Sequence, residues 1–254
     1  MNRIAVALLA TLGVVGCGNA TSPTDSSPDF QRTSAQELSG SSQALVADVP
    51  FRKILCFGDS LTYGVTLEAL SLPPAAQADL TLVEGYVPKL WRLLESKYGS
   101  GFELVNAGMP GETTVEGVER LRTELQVFDP DLVLLLEGIV DINNSSPRFP
   151  VVRENLVDMM GLVKREGALV IIGTYPLLNP DGFRTTGAQH VPRLNDVIRQ
   201  EANRLTVPIA DHEKANELSG QGPDGLHPNN LGYEGMANTW LAAIEALAET
   251  LGET

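Results

Sequence analysis

Large apolar residues collect in five short, nearly unbroken runs, at residues 53–57, 102–106, 131–137, 168–173 and 206–210. A strand with one wet face alternates polar and apolar positions. A strand covered on both faces has no reason to, so continuous runs of this length predict a buried parallel sheet. Between the runs the apolar spacing changes to three and four. Val115, Val118, Leu121 and Leu125 form one stripe, and Val152, Leu156, Met159, Met160 and Val163 a second. Met236, Trp240, Ile244 and Leu247 form a third. Each stripe lays one helix face on a core, and residues 86–98 and 189–205 fill the two remaining helical slots. Strand and helix thus alternate along the chain, and right-handed crossovers put helices on both faces. The predicted fold class is α/β, a three-layer α/β/α sandwich on five parallel strands. In such sheets the reactive residues gather at the carboxyl ends of the strands. Residues 65–84 form a long Ala-, Leu- and Pro-containing insertion after the first strand, expected to make a rim or lid there.

The first fifty residues change the picture of where the fold begins. One basic residue, Arg3, precedes an apolar run from Ile4 to Val15, too short to span a bilayer stably and patterned like a secretory signal. The run ends in Val14-Val15-Gly16-Cys17. Small residues before a cysteine resemble a bacterial lipobox, in which the Cys17 thiol takes a diacylglycerol. An ordinary cleaved signal that contains a cysteine is the alternative. From residue 18 to about 48 the chain is rich in Ser, Thr, Asp, Gln and Pro and is expected to be a flexible tether. The expected organisation is a signal peptide at 1–16, a lipidated N-terminus and linker at 17–50, and one domain at 51–254. The corresponding location is the cell envelope, anchored by lipid to a bacterial membrane and facing the periplasm or exterior.

A formal net charge of −14 argues against nucleic acid and against anionic surfaces as partners. No phosphate loop, dinucleotide fingerprint or Cys/His cluster is present, so neither a cofactor nor a metal is expected. Cys56, inside the first apolar run, reads as a small core residue. His212 stands between Asp211 and Glu213, but adjacent side chains seldom face one another, and a surface histidine is expected. Asp141 with Asn143 and Asn144 is too sparse an oxygen set to make a convincing cation site.

Three motifs carry candidate chemistry. The first strand runs into Gly58-Asp59-Ser60-Leu61-Thr62, which puts a serine hydroxyl and an unpaired backbone N–H at the sheet edge. The second strand runs into a loop ending in Gly111, where an N–H can approach a ligand with no Cβ in the way. Before the last helix stands Asp224-Gly225-Leu226-His227. An aspartate three residues before a histidine can hold the imidazole Nδ1–H and leave Nε2 to take a proton from a serine.

Together these motifs resemble the SGNH/GDSL hydrolase family over the whole of residues 51–254. The resemblance implies a flavodoxin-like sheet, a triad of Ser60, His227 and Asp224, and an oxyanion hole from the N–H groups of Ser60 and Gly111 plus an Asn side chain. The third strand ends in Glu137-Gly138-Ile139-Val140-Asp141, and Val140 stands where the family carries that Asn. Asn143 is the tentative substitute. The implied function is a serine esterase acting on short-chain, lysophospholipid or acetylated-sugar esters, its partners being a small-molecule or glycan ester and, through the anchor, a membrane. Two other outcomes stay open: a surface-tethered binding protein with an impaired oxyanion hole, and a carbohydrate acyltransferase using the same triad.

Overall fold

The computed structural model describes residues 49–66, 85–143, 145–215 and 220–252. The signal segment, Cys17 and its tether, Asn144 and nearly all of the 65–84 insertion lie outside the described residues. Each of the five apolar runs carries a strand: β1 (Lys53–Gly58), β2 (Glu103–Gly108), β3 (Leu132–Leu136), β4 (Leu169–Gly173) and β5 (Ile209–Ala210). All pair in parallel, in the order β2-β1-β3-β4-β5. β1 and β3 are covered on both faces, and every residue of β3 is buried. β2 is an edge strand with mixed exposure, and it runs on to Gly108, two residues past its apolar run. β5 has only two residues. Thr206 ends the preceding helix in a left-handed turn at φ 53°, and Pro208 has no N–H to give the ladder.

The helices are α1 (Ser60–Tyr63), α2 (Tyr86–Tyr98), α3 (Thr114–Phe128), α4 (Ile139–Ile142), α5 (Phe149–Arg165), α6 (Val191–Leu205), α7 (His212–Ala215) and α8 (Asn230–Gly252). The crossover from β1 runs one way to β2, and all later crossovers run the other way, so right-handed connection puts α2 on one face and α3, α5 and α6 on the other. α8 returns to pack on α2, and α3 packs on α5. The reversal of strand order opens a crevice at the carboxyl ends of β1 and β3.

Trp240 on α8 is fully buried against Tyr86, with ring centroids 5.9 Å apart, and against His212, 4.9 Å away and edge-on. His212 therefore departs from the surface position expected of it. It is buried, neither ring nitrogen has a hydrogen-bond partner among the described residues, and burial pushes its pKa down to about 3. Because β5 is so short, the chain enters α7 while still beneath α8, and the imidazole packs as a neutral ring. Cys56 is buried in β1, and burial drives its thiol pKa up, which makes it inert.

Candidate active site

Ser60 owes its position to the two residues before it. A side chain on Gly58 would meet the Leu136 carbonyl oxygen at 2.3 Å, so only glycine lets β1 pass that close to β3 before the turn. Asp59 then caps α1, its Oδ1 accepting from the Leu61 N–H at 2.8 Å. Its Oδ2 accepts from the Tyr175 hydroxyl at 2.5 Å. Burial raises the Asp59 pKa to about 6 against these two hydrogen bonds. Tyr175 is itself clasped by Asn195 of α6, which accepts from its N–H at 2.7 Å and donates to its carbonyl at 2.8 Å. The turn holding Ser60 is thereby braced from β4 and α6.

The other side of the site is the loop before α8. Gly225 takes φ 78°, and the turn is pinned by the Gly222 N–H donating to the His227 carbonyl at 2.8 Å. Asp224 is fully buried. Its Oδ1 accepts from the backbone N–H groups of Leu226, at 3.1 Å, and His227, at 2.9 Å, while Oδ2 lies 2.6 Å from His227 Nδ1. Burial works to raise its pKa, but the ring and backbone hydrogen bonds hold the carboxyl below the usual range. With Asp224 ionised, Nδ1 carries the ring proton and Nε2 is an acceptor. That Nε2 lies 3.0 Å from Ser60 Oγ. Two motifs 167 residues apart thus meet at hydrogen-bonding distance.

Gly111 adopts φ 82°, a conformation that demands glycine although the space around its α-carbon is open. It lines a cavity of about 280 Å³ together with Ser60, His227, Val65, Pro110, Val140, Asn143, Arg184 and Leu226. Val140, half-buried on α4, presents no donor there. Asn143 is engaged elsewhere: its Nδ2 donates to the Arg184 carbonyl at 3.0 Å and its Oδ1 accepts from the Gly187 N–H at 2.7 Å. Only its second amide hydrogen is unspent on these two bonds. Asp141 is also committed, accepting from the Thr114 N–H at 2.8 Å and its hydroxyl at 3.0 Å, which ties α4 to the start of α3.

Beneath the cavity lies a polar layer for which the sequence reading had no place. Arg120 of α3 donates to Glu112 at 2.7 and 2.5 Å and to the Ala107 carbonyl at 2.8 Å, and it stacks 3.9 Å over Phe57. It thereby ties the ends of β1 and β2 to the Gly111 loop. Glu137 at the end of β3 is buried, with no donor to either oxygen among the described residues and the Glu112 carboxylate within hydrogen-bonding reach. Burial, then the nearby charges of Asp59 and Glu112, push its pKa well above the carboxylate range. The signal in the sequence was an acid next to a residue of each of three motifs: Asp59 before Ser60, Glu112 after Gly111, Glu137 before Gly138.

A fold with its crevice at the strand-order reversal, and a serine, histidine and aspartate in hydrogen-bonded series in that crevice, define the class of α/β acyl hydrolases. A model of the GDSL-like lipase/acylhydrolase family matches residues 56–234, and the chain belongs to that family. Among curated relatives, a multidomain esterase of Ruminococcus flavefaciens is 27% identical over 221 residues, 76% of this chain and 28% of its own length. An arylesterase of Vibrio mimicus is 31% identical over 137 residues, 53% of this chain and 57% of its own. The chain therefore spans less than two thirds of either relative. An uncharacterized lipoprotein of Bacillus subtilis, YqeF, is 25% identical over 65% of this chain and 72% of its own. The crystal structure of the lipase/acylhydrolase from Enterococcus faecalis superposes with a TM-score of 0.64 at 27% identity, covering 77% of this chain and 96% of that one. The family relatives support hydrolase activity.

Proposed function

We propose that the protein is a carboxylic ester hydrolase with Ser60 as nucleophile, His227 as general base and acid, and Asp224 as the group that orients the imidazole. The observation that carries this reading is the unbroken series from Asp224 Oδ2 through the His227 ring to Ser60 Oγ, at 2.6 and 3.0 Å. His227 Nε2 takes the hydroxyl proton as Ser60 Oγ attacks the ester carbonyl carbon. The N–H groups of Ser60 and Gly111 hold the oxyanion, and Asp224 stabilises the imidazolium. The imidazolium then hands its proton to the departing alkoxide, leaving an acyl-serine. Water, deprotonated by His227, attacks that ester, and the acid leaves as Ser60 regains its proton. The oxyanion hole is a two-donor site, the Asn143 amide being engaged with Arg184 and Gly187.

The apolar lining from Val65, Pro110, Val140 and Leu226 suits a short acyl chain, which favours short-chain and acetylated-sugar esters over the long acyl chain of a lysophospholipid. We further propose lipidation at Cys17, supported by the lipobox-like residues before it and by the lipoprotein relative; among the described residues no helix is long and apolar enough to cross a membrane. Val140 is the one observation that favours a binding protein on a hydrolase scaffold. Hydrolysis of p-nitrophenyl acetate by the full chain, beside Ser60→Ala, tests the choice. Turnover that disappears in the variant is the expected result, and no turnover by the unaltered protein would overturn the esterase reading.

A further inference from the structure

The residues linking β4 to α6 bring a charge to the cavity that the proposed chemistry does not use. Arg184 lines the cavity beside Ser60 and His227, and among the described residues the remaining lining is apolar or neutral, with no carboxylate. Its backbone is held on both sides. The N–H donates to the Asp224 carbonyl at 3.0 Å, and the carbonyl accepts from Asn143 Nδ2 at 3.0 Å. The neighbouring glycines let this segment lie directly on the site: a Cβ on Gly182 would sit 2.2 Å from the Asp224 carbonyl oxygen, and one on Gly187 2.5 Å from the Asn143 α-carbon. Arg184 is thus clamped between the triad's acid loop and the end of α4.

Its guanidinium has no hydrogen bond, ion pair or ring contact among the described residues. Arg120, Arg153, Arg199 and Arg204 each sit in an ion pair. Exposed Arg122 and Arg165 likewise have no ion pair among the described residues, so what sets exposed Arg184 apart is its place in the lining of the cavity that holds Ser60 and His227. A planar guanidinium matches a carboxylate or phosphate with two parallel hydrogen bonds, stronger and more directional than any contact it makes with a neutral ester. It also offsets locally the repulsion that a strongly acidic protein exerts on an anion.

We infer that Arg184 selects esters whose alcohol part bears an anionic group, a carboxylate or a phosphate. The alcohol part is chosen over the acyl part because the Arg184 backbone is bonded to the loop that carries His227, the group that in the proposed mechanism delivers a proton to the leaving alcohol. This inference rests on the esterase reading above. It deepens that reading by naming the charge of the substrate.

The test uses the full chain and three esters of one shape. Phenyl acetate is neutral, 3-acetoxybenzoate carries a carboxylate on the alcohol part, and 3-acetoxyphenyl phosphate carries a phosphate there. The readout is the ratio of kcat/KM for each anionic ester to that for phenyl acetate. Arg184→Gln should lower at least one ratio about tenfold or more, and Arg184→Lys should recover part of the loss. About 0.5 M salt should move the wild-type ratio the same way. Whichever anion responds identifies the source. Ratios equal in wild type and both variants would overturn the inference. So would a uniform fall for all three esters, which would make Arg184 a donor to the oxyanion in place of the missing amide. Selectivity confined to an acyl-side charge, read with mono-4-nitrophenyl succinate against 4-nitrophenyl butyrate, would overturn it as well. Failure of wild type to turn over phenyl acetate would instead break the esterase reading.

Discussion

Val140→Asn asks whether the site works with two oxyanion donors. Val140 is half-buried and lines the same cavity as Ser60 and Gly111, so a side chain of similar size placed there enters the site without moving the backbone. An oxyanion donor is worth about 10²–10³ in kcat when it is well aimed. Asn and Val are comparably poor helix formers, so the exchange costs the four-residue α4 little. The existing candidate, Asn143, already spends its oxygen on Gly187 and one hydrogen on Arg184, at 2.7 and 3.0 Å. Turning the amide into the hole would forfeit both bonds, about 1 kcal/mol each, which cancels most of what a donor returns. Val140→Asn is therefore expected to raise kcat on p-nitrophenyl acetate by up to about 10²-fold, with KM little changed. Asn143→Ala should act by loosening the 184–187 segment and cost only a few-fold. The reverse pattern would refute the reasoning: no gain from Val140→Asn in a protein of unaltered Tm, and a loss of about 10² or more from Asn143→Ala, would make Asn143 the working donor.

Four further variants test the site, the core and the anchor. Asp224→Asn keeps the shape but lets an amide N–H face His227 Nδ1, which favours the wrong tautomer; steady-state kinetics should show kcat down by about 10⁴, and a loss under tenfold would remove Asp224 from its role. Buried titrations set opposite pH limits on stability. His212 has a folded pKa of about 3, below its unfolded value, so stability drains as pH falls from about 6.5, by up to about 1.4 kcal/mol per unit. His212→Phe should therefore gain in Tm over wild type progressively towards pH 4. Glu137, whose folded pKa is raised by burial, works the other way, so the Tm advantage of Glu137→Gln should grow as pH rises above about 4.3. Differences that do not vary with pH would contradict both assignments. Finally, Cys17→Ser should move the protein from the detergent phase to the aqueous phase in a phase-partition assay, and a wild-type protein already wholly aqueous would remove the anchor.

Strand positions were legible because a strand buried on both faces leaves a continuous apolar run, and β1 and β3 are of that kind. β5 was harder. Its run was right, but a left-handed Thr206 and the missing N–H of Pro208 cut the ladder to two residues. Asp224 and His227 could be paired from spacing because one tight loop holds both. Their meeting with Ser60 depends on how the sheet closes. Periodicity reports whether a side chain is buried and is silent on what it meets. His212 therefore read as a polar surface residue between two acids, although Trp240 covers it. Arg120 and Glu112, eight positions apart on a loop and the helix after it, likewise gave no hint that they clasp the ends of β1 and β2. Arg184 lies in a stretch with no period, and only the backbone clamps to Asp224 and Asn143 bring it to the cavity.

The span between Ser60 and His227 also sets a clock. The serine comes with the first strand and the histidine with the loop before α8, 167 residues later. At about 5–20 residues per second of synthesis, the proposed nucleophile exists for roughly 10–30 s before its proposed base has been made. Throughout that interval the hydroxyl is an ordinary alcohol, unable to attack an ester. On the proposed mechanism reactivity waits for the loop before α8, and any product that stops short of residue 227 lacks the base.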